Sequence, residues 1–353
     1  MSFASQILRG AKGSGFDPVL PRPPYYQGVS ALRGPLGGYV MQNALAISYV
    51  AALVSRGMTP SDVYKKRIDM AMITLDNAGI LSNLVDGAYY GTDGNLTTGN
   101  PISLRGIDAA AMTGSFVRGR YGLTANQSDI QGIGHNITAA NSGTFFVDDT
   151  PNLSSSPAAF SPLLCIGNTT PTAGGAHQYG YANASVPRIQ SFNSAGSYIN
   201  DSAYIGENAT PGSNLIDPQY WHPRIHGCTY GYSSHKSWHN GVQGSLVGTA
   251  YAAATADNKT RINLFRRAAN ATTFSNPSSP FQVQYVGTIT SWLLFNKELT
   301  HEEARAAQSA MWMLRGQAYR LCVEGDSTSA QIFGASPARS RDNWSYQVFQ
   351  NAA

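Results

Sequence analysis

Charge is scarce in this chain: only 12% of its 353 residues are Asp, Glu, Lys or Arg. Glutamate is rarer still, confined to Glu207, Glu298, Glu302, Glu303 and Glu324. Such neutral chemistry, dominated by Gly, Ser, Thr, Asn and Ala, suits an all-β protein with many turns better than a helical enzyme. The net charge of +4 is spread thinly, with no basic run. Nucleic acid therefore has no electrostatic footprint to recognise. Cysteine occurs only at Cys165, Cys228 and Cys322, an odd and widely spaced set. That pattern excludes a disulfide scaffold and suits folding in a reducing cytoplasm. Residues 1–7 lack the charged and apolar regions of a signal peptide. The apolar stretch 39–54 is interrupted by Gln42, Asn43 and Ser48 and is shorter than the ~20 residues a membrane span needs. It reads as a buried helix, and no membrane partner is expected.

What is present divides along the chain. Residues 1–37 carry Pro18, Pro21, Pro23, Pro24 and Pro35 among glycines and cannot form a regular element. Tyr25, Tyr26, Leu32 and Leu36 would anchor this arm on another subunit. Residues 38–55 read as a helix. A second helix starts at Thr59-Pro60-Ser61-Asp62, with apolar Val63, Ile68, Met72, Ile73, Leu75 and Ile80 at roughly helical spacing. From about Tyr89 to Phe295 the chain turns into short β-prone runs between turn signals, as at 143–147, 163–167, 179–182 and 198–200. This pattern predicts a sandwich or barrel. Asn240-Gly241 is the preferred type I′ hairpin pair. A last strand ends near Phe295. The Thr300/Glu303 capping box then opens a helix over 304–314, and Gly316 stops it.

Gly287, Ile289, Asn296, Leu299, Thr300 and Glu303 fall in a spacing that resembles the closing strand and helix of laminin-G-like, concanavalin-type sandwich modules. Trp238-His239-Asn240-Gly241 is similar to a second motif of that family. The resemblance implies a mainly β protein, a concanavalin A-like antiparallel β-sandwich over residues 85–316. An arm and helix (1–60) and a helix leading into the sandwich (61–84) precede it. Residues 66–89 resemble a helix that precedes lectin-like sandwiches in phage structural proteins, with Ser82 and Asn83 where that pattern carries Trp and Lys. Residues 318–329, an apolar strand running into Gly325-Asp326-Ser327, resemble the first block of SGNH (GDSL-type) hydrolases. By that resemblance Ser327 is the nucleophile, its N–H an oxyanion donor, and Asp326 the brace of the turn. The family's base lies far downstream, and its fold needs on the order of 150–200 residues. Residues 317–353 are thus the incomplete start of an α/β SGNH domain, and these residues alone are not expected to be an enzyme.

Other chemistry can be weighed residue by residue. His222, His226, Cys228, His235 and His239 could suggest zinc, yet no Asp or Glu lies near them in sequence to orient the imidazoles. They read as surface histidines on paired strands, with no metal site. Asp148-Asp149 could hold calcium, although a polar turn is the plainer reading, and no cofactor is expected. Glu207 is the only glutamate between residues 85 and 297, so the paired carboxylates of a glycosidase are missing. Among Tyr179, Tyr181, Trp221, Tyr230, Tyr232 and Trp238, we take Trp221, Tyr230, Tyr232 and Trp238 as the glycan-stacking candidates. The expectation is a virion surface protein on a phage particle, a fibre, spike or decoration component. It would be a homo-oligomer held to other virion proteins by its arm, with host-surface polysaccharide as ligand. The alternatives are a targeting module for an SGNH esterase or a structural subunit without a ligand.

Overall fold

The computed structural model describes residues 39–91, 101–125, 131–151, 161–167, 177–182, 186–192, 198–205, 224–232, 236–239, 242–248, 258–265 and 285–316. The strands, in chain order, are β1 (Leu84–Tyr89), β2 (Ala111–Thr113), β3 (Val117–Gly119), β4 (Gly122–Ala125), β5 (Gly132–Ala139), β6 (Gly143–Pro151), β7 (Ser161–Gly167) and β8 (His177–Ala182). They continue with β9 (Val186–Phe192), β10 (Tyr198–Ile205), β11 (Arg224–Tyr230), β12 (Ser237–His239), β13 (Val242–Gly248), β14 (Lys259–Leu264) and β15 (Gly287–Phe295). The helices are α1 (Ala44–Ser55), α2 (Asp62–Asn77) and α3 (His301–Arg315).

The protein is mainly β, built as two antiparallel sheets. One runs β3-β4-β15-β6-β11-β12-β13, with β1 also paired to β15. The other runs β2-β5-β14-β7-β8-β9-β10-β13. Strand β13 belongs to both: its residues 242–244 pair with β12 and 245–248 with β10. The sheets face each other, with Phe145 against Tyr179 at 5.2 Å and His135 against Trp292 at 5.4 Å between ring centroids. The runs expected to be strands at 143–147, 163–167, 179–182 and 198–200 lie in β6, β7, β8 and β10.

The first sheet is covered on both faces, and its sequence shows it. Trp292 and Leu294 enter the core between the sheets, while Leu293 and Phe295 enter a second core beneath the helices. Successive side chains on a strand point to opposite faces. A strand buried on both sides therefore reads as the unbroken apolar run Trp292-Leu293-Leu294-Phe295. Each such side chain contributes about 1.5–3 kcal/mol by leaving water. The helices form the third layer, contributing Tyr49, Leu53, Ile68, Met72, Leu75, Ala307 and Met311 to the second core.

Local signals set the helix ends. The Ser61 side chain accepts the Tyr64 N–H, and Thr300 and Glu303 form the reciprocal capping box. Gly316 ends α3 at φ 81°, a left-handed conformation that costs glycine little. One end differs from expectation. The first helix starts at Ala44, and residues 39–43 run before it without helical form. Asp69 of α2 explains this: its carboxylate accepts the Asn43 N–H at 2.7 Å, both Gln42 N–H contacts, and the Tyr39 hydroxyl at 2.6 Å. Asn43 then caps α1 through the Leu45 and Ala46 N–H groups. Nor is α1 buried all round, since Ile47 and Val54 are 46% and 54% exposed.

Candidate functional site

Of the glycan-stacking candidates, Trp238 and Tyr230 lie in different cores. Trp238 is fully buried beneath the helices, its ring 5.8 Å from that of Phe146. Tyr230 is fully buried between the sheets, 5.9 Å from the His177 ring, and burial raises its phenol pKa. Neither ring has a face left for a sugar. Strands β11 and β12 lie inside a sheet covered on both sides, which consumes their aromatics. Tyr232 is half-buried just past β11. Trp221, Ser327 and Asp326 lie outside the described residues, as do His222 and His235.

His226 corrects the expectation that no acid orients these imidazoles. Its Nε2 lies 3.0 Å from Asp149 Oδ1, and the Tyr285 hydroxyl donates to Asp149 Oδ2 at 2.7 Å. The register sets His226 opposite Val147 of β6, which brings Asp149 of the same strand within reach. Both side chains of this His–Asp pair are fully buried, so no substrate reaches it, and it is not a surface histidine. Cys228 lies on the same face, and burial raises its thiol pKa, which keeps it protonated and inert. Among the described residues no group of His, Cys, Asp and Glu is arranged to hold a metal.

Asp148 and Asp149 likewise point apart. Asp148 faces the helices and takes the Arg315 Nε at 3.1 and 3.0 Å, with Arg315 Nη2 also on Oδ1. Burial raises the Asp148 carboxyl pKa to about 6, against the pull of Arg315. Neighbouring strand positions cannot converge on one calcium, and both carboxylates already hold protein donors.

The described residues form a cleft between the helix layer and the β3–β4 hairpin. Tyr49 of α1, Tyr64 of α2, Tyr89 and Tyr90 at the end of β1, and Arg118 and Leu123 of the hairpin line it, and it holds about 40 Å³ of free space. Each wall has a local cause. Tyr49 lies on the buried face of α1 with Ala46, Val50 and Leu53. Tyr89 and Tyr90 are consecutive and so enter opposite cores. Tyr90 is fixed by its N–H on Thr290 O at 2.8 Å, and its hydroxyl receives the Trp292 indole N–H at 2.9 Å and lies 2.8 Å from His135 Nε2. The Tyr49 and Tyr64 hydroxyls are 3.1 Å apart.

Burial dominates the electrostatics of this cleft. It raises the pKa values of Tyr49 and Tyr90, so both phenols stay protonated. It lowers the Arg118 pKa from its ordinary value, and it depresses that of His135 to about 3, with Arg261 adding to the effect. Arg120 and Tyr121 form the tip of the same hairpin, where Gly119 pairs with Gly122. Tyr121 is 46% exposed, and the Arg120 guanidinium lies 5.7 Å from its ring centroid. Phenols, an open ring and guanidinium groups can hold a ligand. The candidates drawn from the sequence missed the cleft because its parts come from four distant segments. The only local signals were the Tyr89-Tyr90 pair and the Arg118-x-Arg120-Tyr121 tip.

No protein-family model matches the chain, and no curated protein matches it in sequence. Among solved structures it is similar to Trypanosoma rangeli sialidase at 16% identity and TM-score 0.38, covering 67% of this chain and 33% of that one. It is similar to the Ruminococcus gnavus IT-sialidase CBM40 bound to alpha2,3 sialyllactose at 15% identity and TM-score 0.33, covering 48% and 83%. It is also similar to a receptor binding domain at 10% identity and TM-score 0.42, covering 66% and 52%. The chain spans about a third of the length of that sialidase. Likeness at this level assigns no activity.

Proposed function

We propose that this protein is a virion surface component that binds a glycan on the host surface, with the tyrosine cleft and the β3–β4 tip as its binding site. The observation that carries the reading is the tip itself. Tyr121 presents a half-open ring at the turn of the hairpin whose Arg118 and Leu123 line the cleft of buried tyrosines. A sugar's apolar face packs on such a ring while its hydroxyls find polar partners in the cleft. The virion setting, the concanavalin-like identity of the sandwich and the role of residues 1–37 as an attachment arm rest on the family resemblances. Association into a homo-oligomer is supported by the outer face of α1. Ile47 and Val54 are exposed there seven residues apart, with exposed Ala44 and Ala51 on the same side. That spacing is the seam of packed helices.

The test is saturable retention of the full chain on host-surface polysaccharide or an array of defined glycans, repeated with Tyr121→Ala. Loss of one stacking ring is worth about 1 kcal/mol, so affinity should fall about five- to tenfold. Retention by no glycan, or retention untouched by Tyr121→Ala, would contradict the proposal. The Gly325-Asp326-Ser327 motif favours a second activity, ester hydrolysis with Ser327 as nucleophile, Asp326 bracing its turn and a base supplied from beyond these residues. Hydrolysis of p-nitrophenyl acetate that survives Ser327→Ala would remove it.

A further inference from the structure

We infer that α1 is a dimerisation element, its outer face packing antiparallel against the α1 of a second copy of this chain, Ile47 against the partner's Ala51. This rests on the homo-oligomer reading above and adds the element, its direction and its register. The water-facing side of a helix normally carries charge, as Asp76 of α2 and Glu302 of α3 do. Residues 44–55 hold no Asp, Glu, Lys or Arg. Ile47 and Val54 are nevertheless 46% and 54% exposed, with Ala44 and Ala51 exposed beside them and Ser48 and Ser55 along one flank. Ala46, Tyr49, Val50 and Leu53 bind the opposite face to the core, so the helix cannot turn its outer side chains inward.

Symmetry favours a second copy over another protein. Near a two-fold axis a side chain meets its own copy, so a charge there meets its own sign. The helix brings none. Shape sets the direction. Ala44, Ile47, Ala51 and Val54 follow each other at steps of three, four and three, one stripe of a helix. Let the helices run antiparallel, with the axis midway between Ile47 and Ala51. Ile47 then faces the partner's Ala51, and Ala44 faces the partner's Val54. Every large side chain meets a small one. A parallel pair in register would set isoleucine on isoleucine and leave gaps at the alanine layers. Opposed helix dipoles favour the antiparallel direction as well. Area sets the strength. Twelve residues of helix are about 18 Å long, and one such stripe covers less than the roughly 800 Å² per partner of a stable interface. The contact therefore holds a reversible dimer. Antiparallel pairing also sets the Tyr39 end of each helix, where residues 1–38 join, at the far end of its partner.

The experiment is sedimentation equilibrium of the full chain between about 1 µM and 1 mM, the range in which a weak dimer dissociates. The expected result is a monomer–dimer equilibrium, abolished by Ile47→Glu. Ile47→Ala and Ala51→Ile alone should each weaken the dimer roughly tenfold. The double variant exchanges large and small, so each isoleucine again faces an alanine, and most of the affinity should return. All these positions are exposed, and a thermal melt of each variant checks that it folds. A monomer at every concentration would overturn both this pairing and the homo-oligomer reading. A trimer, or an oligomer untouched by Ile47→Glu, would overturn the pairing and leave that reading standing. A double variant no tighter than the weaker single would overturn the antiparallel register, and the inference with it.

Discussion

Asp148 and Asp149 are neighbours in sequence and partners of different layers. Asp148 is held by Arg315 of α3, and Asp149 by His226 and Tyr285 between the sheets. The Asp148–Arg315 pair is fully buried, and removing one partner leaves an uncompensated charge. Arg315→Met should therefore destabilise the protein by about 3–5 kcal/mol at pH 7.5. The Asp148 pKa is already raised to about 6 by burial, and losing Arg315 raises it further. Protonation then relieves the variant, so its deficit should shrink at pH 5, as measured by denaturant melts at both pH values. His135 works in the opposite sense. Burial depresses its pKa to about 3, far below the roughly 6.5 of an unfolded histidine. As pH falls through 6.5 the unfolded chain gains a proton that the folded chain refuses, so stability is lost. His135→Gln should gain on the native protein by roughly 2 kcal/mol between pH 7 and pH 5. An unchanged difference across that range would contradict a buried neutral His135. None of these pairings could be read from the sequence, because each depends on strand register or on a helix returning to the sheet.

At the scale of elements, legibility follows locality. The Thr300/Glu303 box and the Gly316 stop act within one turn and were plain in the sequence, whereas the second helix starts later than its Thr59-Pro60 signal, with Ser61 as the cap. Thr300→Ala should cost about 0.5–2 kcal/mol in a thermal or urea melt. The start of α1 was misplaced because Asp69, far along the chain, draws Gln42 and Asn43 out of the helix. The aromatics of β11 and β12 were misassigned to the surface for a similar reason. The sequence does not sort inward from outward here, and the first sheet is covered by helices on one face and strands on the other. Gly227 records that crowding: a Cβ there would collide with the Phe146 ring. Gly227→Ala should cost about 1–3 kcal/mol, and Phe146→Leu in the same chain should recover part of it. Additive losses in that double variant would contradict the close approach.

For the whole molecule, composition and turn spacing disclosed a mainly β protein, and the helix caps disclosed the helices. What they could not disclose was that helices and sheets share a core, or that the ends of these elements meet in one cleft. That cleft takes a ring pair from the end of β1, two phenols from the helices, and Arg118 and Leu123 from the β3–β4 hairpin, so it exists only once the layers have packed. Ligand binding there is the central expectation. The most direct measurement is amide hydrogen exchange of the full chain with and without a retained polysaccharide. Slowed exchange at residues 117–123, 87–91 and 101–104 is the predicted result. Protection confined to other segments, with these three unchanged under saturating ligand, would contradict it.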